Sequence, residues 1–136
     1  MMQRSLFRTL LGACLMGVAG ISLTSGVFPM VVANLFEINS YQVLLMVKSF
    51  VIPIALFWAV CGGVVSWYGG VTTAGMAMAV VGAITGVILG IIAISGSSLL
   101  VLVSVLTGAI YGGIGGLIIG KVFPTPTTQV EEENVD

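Results

Sequence analysis

Few side chains in this sequence could do chemistry. Lys48 and Ser49 stand side by side inside an apolar run, the types that can combine as base and nucleophile. Neighbouring residues on a helix do not face each other, because each step turns the side chain by about 100°, so the pair does not read as a dyad. The chain has no histidine, and of its five acidic residues only Glu37 stands outside the C-terminal tail. Hydrolysis by paired carboxylates, zinc catalysis and a serine triad therefore lack their parts. The expectation is a protein that is not an enzyme and holds no metal or cofactor. Cys14 and Cys61 both fall inside apolar runs, at similar depth if the first two helices are antiparallel. They read as small packing residues, as buried free cysteines usually are, and not as a disulfide.

Lys48 and Glu37 are the internal charges. A lysine inside an apolar run calls for a functional hypothesis, such as a cation lining an anion path or anchoring a lipid headgroup. Against it stands a structural reading, which is preferred: Lys48 lies near the end of its run, where it can snorkel to the interface or pair with Glu37 on the connecting segment. A rotary-ring subunit would need a carboxylate in mid-membrane, and a small four-helix multidrug exporter a glutamate in its first span; neither is present.

The elements that must carry these residues follow from composition. Hydrophobic residues make up 58% and charged residues 7%, against about 25% charged in an ordinary soluble domain. The apolar runs are long enough to need lipid as solvent, and a bilayer core of about 30 Å takes about 20 helical residues. No stretch alternates apolar and polar residues as a lipid-facing strand would. The fold class expected is an all-α integral membrane protein, a four-transmembrane-helix bundle over residues 1–123. Its spans are expected at roughly 6–28, 41–68, 71–94 and 99–123. Pro29 should break the first run, leaving Pro29, Asn34, Glu37 and Asn39 on a short surface segment, and Pro53 hints at a second break. Residues 124–136, with two prolines and an acidic end, should form a disordered cytoplasmic tail. The first run is read as a retained anchor, not a cleaved signal, since it continues past any cleavage site to Phe36.

The strongest pattern is a row of glycines at four-residue spacing in the fourth span, Gly108, Gly112, Gly116 and Gly120, which Ser104 extends. The third span carries Gly82, Gly86 and Gly90 in the same register, with Gly75, Ala79 and Ala83 on a neighbouring face. Such rows remove side chains from one face, so that a second backbone can approach. Glycine-zipper packing of span three on span four is the plain reading; oligomerisation through the same faces is the sharper one. Spans three and four should form the tight core, with spans one and two facing lipid or a partner.

Arg4 and Arg8 precede the first span and Lys121 closes the fourth, so four spans place all three on one side, the cytoplasmic side by the positive-inside rule. With four basic residues and a net charge of -1, a nucleic-acid partner is excluded. The expected partners are membrane lipids and either a membrane protein complex or further copies of the chain. The function expected is that of a non-enzymatic accessory or assembly subunit in a bacterial-type inner or thylakoid membrane. A homo-oligomeric pore or holin-like channel comes second, and a small-solute transporter third.

Overall fold

A computed structural model describes residues 2–93 and 97–124, with side chains from Leu6 onward. The tail beyond Pro124, the Ser95–Gly96 part of the third turn and the Arg4 side chain lie outside the described residues. Every regular element among the described residues is helical: α1 (Met2–Ser22), a π-helical turn (Leu23–Val27), α2 (Phe28–Phe36), α3 (Ser40–Val47), a 3-10 turn (Lys48–Phe50), α4 (Val51–Tyr68), α5 (Val71–Ala93) and α6 (Ser98–Val122). They join into four helices long and apolar enough to cross a membrane, Leu6–Phe36, Ser40–Tyr68, Val71–Ala93 and Ser98–Val122.

The first long helix does not stop at Pro29. It runs on to Phe36 and ends at Glu37, whose φ of 54° is left-handed, so the break falls eight residues later than the proline suggests. The reason lies one turn upstream. A proline ring clashes with the carbonyl four residues back and supplies no N–H, but here the helix widens before it arrives. The Phe28 N–H bonds to Leu23, five residues back, and Pro29 follows directly on that widened turn, so its missing N–H falls where the hydrogen-bond ladder has already shifted register. Asn34, expected on a surface segment, lies within α2. Pro53 is handled in the opposite way, by a tightened 3-10 turn at Lys48–Phe50 just before it.

Two antiparallel hairpins result. In the first, α1 packs along α4 and α2 along α3; in the second, α5 packs along α6, the most extensive helix contact in the molecule. Trp58 of α4 joins the hairpins. Fully buried, it donates its indole N–H to Thr85 Oγ1 of α5 at 2.8 Å and lies 6.1 Å, ring centre to ring centre, from Tyr111 of α6. Met16 of α1 reaches the same junction and would touch any side chain added at Gly115 of α6. Among the described residues the buried polar side chains are all hydroxyls, and Thr24, Ser66, Thr85 and Ser104 each donate to the carbonyl four residues back. That bond satisfies the hydroxyl within its own helix, leaving Thr85 Oγ1 free to accept from Trp58.

Thr85→Val keeps the shape of the side chain and strands the indole N–H. Unfolding in mixed detergent should report a loss of about 0.6 kcal/mol and at most about 1.7, the average and the maximum found for hydrogen bonds between membrane helices. An unchanged midpoint would mean that the bond does not hold the hairpins together.

Candidate functional site

The seven glycines singled out by their spacing lie on one seam. A methyl group on Gly82 would overlap the Gly108 carbonyl, and one on Gly108 the Gly82 carbonyl. Gly86 faces the main chain at Ser104, Gly112 that at Met78 and Gly116 that at Ala74. The row closes with Gly90, where an added Cβ would stand 2.9 Å from Val101 Cα, and Gly120, where it would stand 2.5 Å from Val71 Cα. The obstacle at each position is main chain, which no rotamer change can move aside. Both rows are thus turned toward each other within one chain.

The first hairpin has a second seam that the reading by glycine rows passed over. Gly12 and Gly62 oppose each other, and an added Cβ on Gly62 would come 2.7 Å from the Gly12 carbonyl. Around them, Gly17 faces Ala59, Gly63 faces Thr9 and Ala13, and Gly20 lies against the Trp58 ring. The signal was present as Thr9, Ala13, Gly17 and Ala55, Ala59, Gly63, each four residues apart, but it is spread over three residue types. Tight packing is therefore not confined to the second hairpin.

At one end of the bundle the described chain ends meet. Arg8 donates to the Pro124 carbonyl at 2.9 Å, and its guanidinium lies 5.5 Å from the centre of the Phe123 ring, a cation–π geometry. The Gly69–Gly70 turn closes this cluster. Gly69 has φ +73°, and a Cβ there would stand 3.0 Å from the Phe123 carbonyl and 3.2 Å from Arg8 Nη2, so both conformation and space require glycine. Lys121 is exposed at the same end.

Glu37 and Lys48 belong to the opposite half. Both side chains are exposed and no ion pair joins them; Glu37 caps α2, whereas Lys48 opens the 3-10 turn. Cys14 is exposed, Cys61 is half-buried and both are free thiols. Between α2 and α3 runs an open groove of about 610 Å³ with a mixed lining. Ser25, Asn34, Asn39, Ser40 and Tyr41 supply polar groups, and Pro29, Met30, Ala33 and Leu44 the apolar wall.

The seam makes a graded prediction. Gly108→Ala or Gly112→Ala should lower the thermal midpoint in mild detergent by several degrees, because an overpacked contact costs about 1–3 kcal/mol. Gly26→Ala should leave it unchanged or raise it slightly, since nothing lies within 4 Å of a Cβ at Gly26 and alanine favours a helical turn. Equal effects at the three positions would contradict this map. The chain matches no protein-family model, no curated protein and no solved structure, so the chemistry and packing above are the whole basis for a functional reading.

Proposed function

We propose that this chain is an integral membrane bundle that carries out no reaction of its own and serves as an accessory or assembly subunit of a membrane complex. One observation carries the membrane part. Large apolar side chains point outward along all four long helices, with Phe7, Ile52, Met76 and Ile110 each more than 60% exposed. Water would have to cover a continuous apolar surface far larger than the few hundred Å² that soluble proteins expose. Lipid removes that cost. The α5 and α6 helices, 23 and 25 residues long, reach about 35–38 Å, enough for a bilayer core of about 30 Å. Exposed Trp67 and Tyr68 near the Arg8 end and exposed Tyr41 near the other suit the two interfaces. The Arg8 and Lys121 end would be cytoplasmic in a bacterial-type inner or thylakoid membrane.

Within such a bilayer the α5–α6 seam acts as a glycine zipper that closes the hairpin on itself. A homo-oligomeric pore would need those small faces on the outside, where the packing does not leave them. The axis between the hairpins is filled by Trp58, Met16 and Tyr111 in place of a polar path. A transporter reading would want broken helices near the bilayer midplane. The 3-10 turn instead lies about two turns from Trp58, level with the end of α5. These points favour a closed accessory bundle.

Two measurements test the proposal. The protein should stay in the membrane pellet after an alkaline carbonate wash, and release into the supernatant would contradict a spanning bundle. A tagged copy extracted from its native membrane in mild detergent should bring down a larger membrane protein in fixed ratio, as read by mass spectrometry. Recovery of this chain alone, as a discrete oligomer, would overturn the accessory reading in favour of the pore.

A further inference from the structure

The groove between α2 and α3 has a position and a chemistry that the packing of the bundle does not explain. The Trp58–Thr85 hydrogen bond sets those two residues at one level. From there α5 runs on only to Ala93, about 12 Å at helical rise. The 3-10 turn lies an equal distance from Trp58 on the other helix, so α2 and most of α3 lie beyond Ala93, the last described residue of α5, with α3 still touching α5 where they meet. If α5 and α6 span the hydrocarbon, the groove lies among the lipid headgroups.

Its lining has unused hydrogen-bonding capacity of both kinds. Asn34 gives one amide N–H to the Met30 carbonyl at 2.7 Å, which leaves its oxygen and its second N–H. Asn39 accepts from the Tyr41 N–H at 2.9 Å, so its amide donors remain. Ser25 donates to the Ile21 carbonyl at 2.6 Å and keeps its acceptor lone pairs, while the exposed Ser40 and Tyr41 hydroxyls make no hydrogen bond among the described residues. Amides and hydroxyls that both donate and accept match ligand hydroxyls, which do the same. An anion only accepts, and it would meet no cationic side chain in the lining. Glu37, in the link between α2 and α3, would repel it. Exposed Tyr41 adds a flat aromatic face, and Met30 and Leu44 continue the groove toward the hydrocarbon side. At about 610 Å³ the space lies within the range of about 300–1,000 Å³ usual for small-molecule sites.

We propose that this groove binds a lipid with an uncharged, hydroxyl-rich headgroup, the chemistry of a glycosyl diacylglycerol, with its acyl chains lying along the apolar wall. The proposal rests on the membrane reading above. Gly26 offers an unusual test, because it lines the groove and a Cβ there has no neighbour within 4 Å. Gly26→Leu should put a branched side chain into the groove from a position whose Cβ is uncrowded, while leaving every polar group of the lining in place. Asn39→Ser combined with Asn34→Leu and Tyr41→Phe should remove both amides and the phenol hydroxyl from the lining, with serine keeping the helix cap.

The experiment uses the full-length protein in nanodiscs of phosphatidylcholine doped with equal amounts of monoglucosyl diacylglycerol and phosphatidylglycerol of matched acyl chains. Native mass spectrometry after detergent release reads which lipid is retained. The wild-type chain should retain the glycolipid over both phospholipids. Gly26→Leu and the triple variant should each lose that retention about tenfold, the effect of two or so neutral hydrogen bonds, with thermal midpoints within a few degrees of wild type. Equal retention of the three lipids, preference for phosphatidylglycerol, or unchanged retention in Gly26→Leu would overturn the site. Failure of the protein to float with lipid vesicles would overturn the membrane reading itself, which separates the two failures.

Discussion

Along the α5–α6 seam a carbonyl of one helix occupies the space where a side chain of the other would have to stand, from Gly82 against Gly108 to Gly116 against Ala74. Axes this close let main-chain atoms touch over the length of the hairpin, and each contact adds a little dispersion energy or a weak Cα hydrogen bond. In lipid, where helix pairing gains no hydrophobic drive, such contacts and interhelical hydrogen bonds are what hold helices together. Bulky side chains are then excluded from the seam and must point elsewhere. Along the seam itself the contact is therefore made by glycines and main chain, while large side chains such as Met78, Leu89, Leu100 and Ile119 are buried to its flanks and many others, Met76 and Ile110 among them, point outward.

The first hairpin obeys the same constraint less strictly. Gly12 and Gly62 bring main chain closest to main chain, whereas at Gly17, Gly20 and Gly63 the nearest atoms are methyl groups and the Trp58 side chain, with main chain of Ala55 and Thr9 at 3.3–3.7 Å. This looser packing accompanies the two irregular turns. A widened turn before Pro29 and a tightened one before Pro53 face each other across the hairpin, and both prolines are accommodated without ending their helices. Beyond those turns α2 and α3 continue as a short apolar pair carrying the polar groove. Trp58 is the element that makes one body of two hairpins, since its indole N–H, its ring and its contact with Gly20 reach α5, α6 and α1 in turn.

How much of this was legible in the sequence depended on the kind of signal. The four long helices followed from apolar run lengths, and the α5–α6 seam from a single residue type at one spacing. The end of the first helix was misplaced because Pro29 removes a donor whatever follows, whereas the widened turn depends on tertiary support that no local pattern encodes. The Gly12–Gly62 seam was spread over glycine, alanine and threonine and so escaped a search for glycine alone. Trp58 looked like any apolar residue in its run, for its partner Thr85 lies in a different hairpin. Lys48 and Glu37 were expected near each other by sequence distance, yet the intervening cap and helix leave them unpaired. The groove escaped notice because its polar residues come from two helices and the link between them.

The central claim is that the small faces of α5 and α6 are used within one chain. It can be tested by cysteine cross-linking in native membranes, with Cys14 and Cys61 replaced by alanine. A Cβ at Gly113 would lie 3.6 Å from Ala79 Cβ, inside the range of about 3.5–4.5 Å that a disulfide spans. The Ala79→Cys, Gly113→Cys double variant should oxidise to a bond within the monomer, leaving a single monomeric band without reductant and no free thiol. A ladder of disulfide-linked dimers and higher species, with the monomer's thiols still free, would contradict it.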